Sequence, residues 1–128
     1  MMNFSKDAVF NLTQIPNDHL NKNIAAILVP GEEVVLGVFK TVRDQVVFTD
    51  RRILTVDVQG ITGKRQEIFT IPYNRIQYFG IQTVGLFELI PDAEMDLSFT
   101  DGMKAHFEFK GRCDILKIAQ MVSKYALK

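Results

Sequence analysis

The chain has one cysteine, no net charge and no long apolar run, and each shortage excludes a class of protein. A single thiol, Cys113, cannot close an internal disulfide, so a secreted, stapled scaffold is ruled out. It also cannot build a zinc site without several His or Asp partners, and His19 and His106 stand alone in their segments. The 15 basic side chains are matched by 15 acidic ones. That balance argues against a dedicated nucleic-acid binder and against strong attraction to anionic lipid. It also removes long-range self-repulsion, which makes association easier. No stretch reaches the roughly 18 apolar residues of a spanning helix. The opening MMNFSKDAVF has no cationic segment followed by an apolar one, so no signal peptide is read there. The expectation from these absences is a soluble cytoplasmic protein.

What is present suffices for one core. With 128 residues and 47% hydrophobic content, the chain suits a single globular domain. Its clearest pattern runs from Arg43 to Ile71, RDQVVFTDRRILTVDVQGITGKRQEIFTI. Alternation and polar turns predict three consecutive antiparallel strands there, Gln45–Thr49, Arg52–Val58 and Gln66–Ile71. A strand over Glu33–Lys40 precedes them. Both its faces are apolar, so it lies between two covered layers or against a partner. Pro72 ends the fourth strand, and Tyr73–Thr83 predicts a fifth, with Gly80 marking a bulge or bend. Then Met95, Leu97 and Phe99 alternate with Glu94, Asp96 and Ser98. Asp101-Gly102 supplies a two-residue turn, and Met103, Ala105, Phe107 and Phe109 line the return. Past Gly111 the period changes from 2 to 3.6. Arg112–Leu127 is expected to be a helix with Ile115, Leu116, Ala119, Val122 and Tyr125 on its apolar stripe. Leu54, Val56, Phe69, Leu97, Phe107 and Leu116 are expected to meet in one dry interior.

The first thirty residues read as helical. A short helix within Asn3–Ile15, with Ser5 as N-cap, is broken by Pro16. A second, capped by Asn17 or Asp18, carries Leu20, Ile24, Ile27 and Leu28 and ends at Pro30-Gly31. This arm either covers the strands of its own chain or packs on a neighbouring subunit.

Seven strands followed by one amphipathic helix is the element order of the pleckstrin-homology fold. Phe48–Ile53 (FTDRRI) resembles the FT[D/N]-x-R-[LI] wording of the bacterial pleckstrin-homology family, and Asp57–Lys64 (DVQGITGK) resembles its D-x-Q-G-[IL]-T-G-K. The resemblance covers about Pro30 to Leu127. It implies a mainly β, barrel-like domain over residues 31–128, with seven antiparallel strands in two near-orthogonal sheets. A C-terminal helix would cap it and an N-terminal helical extension, residues 1–30, would precede it. It further implies no enzymatic activity, no cofactor and assembly into a homo-oligomer, rings included. Phosphoinositide-binding members of the superfamily place a Lys-x-n-[Lys/Arg]-x-Arg pattern across the first two strands. Here that site falls on Lys40, Thr41, Val42 and Arg43, with Asp44 partly neutralising Arg43.

The candidate sites follow. Lys40, Arg43, Lys64 and Arg65 are candidate contacts for an anionic ligand. Arg51-Arg52 with Lys64-Arg65 put four cations on or near turns, where they either clamp a phosphate or guard an edge against strand-to-strand aggregation. Leu86, Phe87, Leu89 and Ile90 lie in the apolar stretch VGLFELIP. That stretch is read as a lid on the barrel mouth, a subunit contact or a membrane-inserting loop. Phe79, Leu86, Phe87 and Leu89 are the expected oligomer contacts. His106 reads as a surface histidine, because no nucleophile or second base is placed near it. Cys113 reads as a small buried apolar side chain. Gly60-Ile61-Thr62-Gly63-Lys64 lacks the spacing of a phosphate-binding loop and sits between strands. No catalytic or metal site is read from the sequence. The leading expectation is a non-enzymatic module that self-associates. The alternative is a module that binds membranes or anionic ligands through its basic turns.

Overall fold

Phe10, Leu12, Phe39, Phe48, Phe107 and Phe109 come from four different strands and are all buried in one cluster. Their rings meet edge-on or tilted, with centroids 5.0–6.2 Å apart, the arrangement the ring quadrupole favours. The computed structural model describes residues 8–82, 90–113 and 115–127. Its elements are β1 (Ala8–Ile15), α1 (Lys22–Ile27), β2 (Val35–Lys40), β3 (Gln45–Thr49), β4 (Arg52–Gln59), β5 (Arg65–Pro72), β6 (Ile76–Gln82), β7 (Ile90–Pro91), β8 (Glu94–Phe99), β9 (Lys104–Lys110), β10 (Arg112–Cys113) and α2 (Ile115–Ala126). Single 3-10 turns occupy Asn17–His19 and Tyr73–Arg75.

The seven antiparallel strands expected from the sequence all form, as β2–β6, β8 and β9. They belong to one curled eight-stranded sheet of order β5-β4-β3-β2-β1-β9-β8-β6, not to two separate sheets. The joining strand is β1, and here the helical expectation for the N-terminal segment is corrected. Ala8–Asn11 and the next two residues pair in parallel with β9, and Thr13–Ile15 pair antiparallel with β2. The reason is period: Phe10 and Leu12 are buried while Asn11 and Thr13 are exposed, which is strand alternation. Open ladder edges on both sides outweigh a weak local helix preference.

The second expected helix does form, shortened to α1. Its cap is Asn21 and not Asn17 or Asp18: Asn21 Oδ1 accepts from the backbone N–H of Asn23 at 2.8 Å and of Ile24 at 3.2 Å. Ile24 is fully buried against Val38, Val47, Leu54 and Val56. The arm therefore covers the outer face of its own sheet.

That layer corrects the expected core. Leu54 and Val56 point outward beneath α1, and their neighbour Ile53 joins the inner cluster. Leu97 and Phe107 lie in the inner cluster as expected. Phe69 stays 47% exposed on an edge strand and Leu116 38% exposed on α2. The helix buries Ile115, Ile118, Met121 and Val122 instead. At ~1.5–3 kcal/mol per buried side chain these four hold it to the sheet. Cys113 is buried in the same core, from β10.

The β8–β9 hairpin turns through three residues, Thr100 to Gly102, and not through two. Phe99 N donates to Met103 O, and Gly102 adopts φ 89°. Pairing Leu97 with Ala105 and Met95 with Phe107 keeps apolar residues opposite apolar ones. A two-residue turn would set apolar against polar along the whole ribbon.

Candidate functional site

Three surfaces of the sheet carry the chemistry: a basic end, two open edges and the outward face of the β8–β9 hairpin. The basic end arises because β2 and β4 finish where β3 and β5 begin, so the 41–44 and 60–64 turns lie side by side. Arg43 Nη2 donates to Gly60 O and ties them together. Gly63 has φ 69°, and a Cβ there would sit 3.3 Å from the Arg43 guanidinium. Asp44 is buried, and its Oδ1 accepts from Val58 N at 2.8 Å. Lys40, Arg43, Lys64 and Arg65 thus share one end of the sheet, all exposed. Arg51 and Arg52 do not join them, since they sit at the far end of β4. Arg51 is 3.9 Å from Glu32. Arg52 lies on the outer face beneath α1 and bonds to Glu33, Thr70 Oγ1 and Ile27 O. Of the two readings of Arg51-Arg52 with Lys64-Arg65, the four-cation phosphate clamp is therefore not assembled.

Among the described residues the open edges are β5 and β6, each with a neighbour on one side. On β6, Tyr78 is 59% and Ile81 38% exposed. Phe79 packs against the inner core, so Tyr78 is the outward aromatic of that strand. Leu86, Phe87 and Leu89, and most of VGLFELIP, lie outside the described residues.

The outward face of the hairpin gathers acids around His106. Its Nδ1 lies 2.6 Å from Asp96 Oδ1, and its Nε2 lies 2.9 Å from Glu94 Oε1 and 3.7 Å from Glu108 Oε1. The hydrogen bond with Asp96, then that with Glu94 and the two negative charges, raise the His106 pKa; partial burial opposes them. Among the described residues, Glu94, His106 and Glu108 form a group able to hold a metal ion. Sequence reading missed it because the ligands come from two strands. The signal was the even-numbered polar face of each strand, which needs the correct turn length to be put in register.

The sequence profile of the family described as "Bacterial PH domain" matches residues 3–126. The chain belongs to the bacterial PH domain family. The domain is 34% identical over 122 residues to the uncharacterized protein YjqA of Bacillus subtilis (strain 168), covering 95% of this chain and 97% of that one. It is 31% identical over 104 residues to the uncharacterized protein YozO of the same organism, covering 81% and 87%. A crystal structure of a DUF1696 family protein with a pleckstrin-homology domain from Shewanella loihica PV-4 superposes with TM-score 0.70 at 27% identity, covering 91% of this chain and 97% of that one. A pleckstrin homology domain from Shewanella amazonensis SB2B gives TM-score 0.58 at 33% identity, covering 89% and 90%. The curled sheet with its C-terminal helix is thus the fold of this bacterial PH domain, and the family is generally non-enzymatic. No helix among the described residues is long and apolar enough to cross a membrane.

Proposed function

We propose that this bacterial PH domain is a binding module that assembles with copies of itself by pairing strands at β6. The observation that supports this reading is the edge itself. The β6 sequence IQYFGIQ carries no charge and presents Tyr78 and Ile81 to solvent. Edge strands are ordinarily guarded by Lys, Pro or inward charge, because their unpaired N–H and C=O groups accept any extended chain. The β5 edge has such guards in Arg65, Glu67 and Pro72, and β6 lacks them. A β6–β6 pairing gives a two-fold dimer, whereas β6 against β5 runs head to tail and closes into a ring when the rotation allows. Sedimentation or light scattering tests the reading. The wild-type chain is expected to be oligomeric at tens of micromolar and Tyr78→Lys with Ile81→Lys monomeric. A wild-type chain that is strictly monomeric at that concentration overturns it.

A second reading uses the basic end. The bond from Arg43 to Gly60 O supports it, because it ties the turn that carries Arg43 to the turn that leads into Lys64 and Arg65. Anionic vesicles sedimented at low and high salt test it. Binding is expected to need anionic lipid and to weaken with salt, and binding indifferent to both rejects it.

A further inference from the structure

Glu94 and Glu108 are directly opposite each other across the β8–β9 ladder, and Asp96 is opposite His106. Like charges in facing positions destabilise a sheet, and among the described residues no lysine or arginine is seen in an ion pair with either glutamate; Lys104 and Lys110 flank the cluster along β9. The ion pairs shown for Glu94, Asp96 and Glu108 all go to His106. The strands on either side place neutral residues beside them: Gln82 and Gly80 of β6 are in register with Glu94 and Asp96, and Asn11 of β1 with Glu108. Three carboxylates therefore converge on one imidazole, with Lys104 two positions from His106 and Lys110 two positions from Glu108 along β9.

We propose that this face binds a divalent transition-metal ion of the zinc class, through Glu94 Oε1, His106 Nε2 and Glu108 Oε1. The dimensions fit. Bonds of about 2.0–2.2 Å set tetrahedral ligand-to-ligand edges at roughly 3.3–3.6 Å. The Nε2 distances of 2.9 and 3.7 Å bracket that range, and all three ligand atoms lie within 4.8 Å of one another. Small rotations of two glutamate side chains close the site. Asp96 holds Nδ1, which fixes the ring and leaves Nε2 free to coordinate, the support that metal-bound histidines generally have. One imidazole with two carboxylates selects zinc, cobalt or manganese over magnesium and calcium, which prefer oxygen alone. The metal replaces the proton on Nε2 and neutralises the Glu94–Glu108 repulsion. The ligands sit on paired strands, so their backbones are already fixed.

The test is calorimetric titration of the full chain, stripped of metal, with zinc chloride and separately with magnesium chloride. Thermal melts run beside it. One zinc per chain is expected, with a raised melting temperature and no response to magnesium. His106→Asn should abolish binding. Glu108→Gln, which keeps size and removes a repulsive charge, should fold normally and bind at least about tenfold more weakly. Asp96→Asn should weaken binding about 10–100-fold through the lost support of the ring. Cobalt should give a visible absorption band in the wild type and none in His106→Asn. Zinc bound equally well by His106→Asn, an equal response to magnesium, or no heat and no melting shift in the wild type each overturn the proposal. None of these outcomes depends on whether β6 pairs between copies.

Discussion

Glu33 and Arg52 face each other through two hydrogen bonds, Arg52 Nη2 to Glu33 Oε1 and Arg52 Nε to Glu33 Oε2, both at 3.0 Å. The Glu33 side chain is wholly shielded from solvent and also accepts from Thr49 Oγ1 at 2.7 Å and Val29 N at 3.1 Å. Arg52 reaches on to Ile27 O at 2.9 Å. One ion pair thus fastens the end of α1 to the start of β4. Burial alone would raise the Glu33 pKa, but the bonds from Arg52, Thr49 and Val29 outweigh it and the pKa is lowered.

A folded-state pKa below the unfolded one stabilises the fold above the unfolded value, ~4.3 for glutamate. That stabilisation is lost as the pH falls through the lower, folded value. Glu33→Ala, which leaves the Arg52 guanidinium with only Ile27 O and Thr70 Oγ1 as partners, is expected to cost about 1.5–3 kcal/mol near neutral pH. The difference from wild type should shrink on acidification. Urea unfolding at neutral pH and at a pH below the unfolded glutamate value measures this, and a constant difference across the range would contradict the assignment.

Tyr73 is buried and its hydroxyl donates to Thr49 O at 2.6 Å. Burial first, then the nearby Tyr125, Asp50 and Glu33, push its pKa well above the ordinary tyrosine value. In an alkaline ultraviolet titration Tyr73 should ionise only as the chain unfolds. Tyr73→Phe orphans the Thr49 carbonyl and should cost about 1–3 kcal/mol. Unchanged stability in that variant would show that the carbonyl finds another donor.

Asn21 has three roles: it caps α1, its amide reaches Gln66 Oε1 at 3.2 Å, and its backbone N–H meets Gln45 Oε1 at 2.9 Å. Asn21→Ala should cost about 1 kcal/mol. Gly in the same place recovers much of the cap and little of the tether to Gln66. Amide exchange is the sharper readout. Protection should fall in α1 first and leave β8 and β9 unchanged.

Ile24 anchors the outer layer. Ile24→Ala leaves a void beneath α1 bounded by Val38, Val47, Leu54 and Val56 and should cost about 2–5 kcal/mol. A cost under 1 kcal/mol would mean that α1 rides loosely on the sheet.

Strand positions from Glu33 to Lys110, apart from β7 and the Tyr73–Arg75 turn, could be read from the sequence because alternation is a local signal. Which face of a strand is the inside is not local. Leu54 and Ile53 are equally apolar, and only α1, folded across from residues 22–27, determines that Leu54 meets a second layer. The strand at Phe10 and Leu12 was hidden for a similar reason, since its partners lie on β9 and β2. The basic end could be read from Arg43, Lys64 and Arg65, because short turns bring such residues together. The His106 cluster could not, because a one-residue difference in turn length moves every cross-strand neighbour.

The parallel pairing of β1 with β9 has a consequence for synthesis. Every other long strand can find a neighbour among residues made shortly before or after it, but most of β1 must wait until β9 has been made. During that wait Phe10 and Leu12 have no dry surface to enter. The sheet therefore closes only after β9 has emerged, through a contact between segments far apart in sequence.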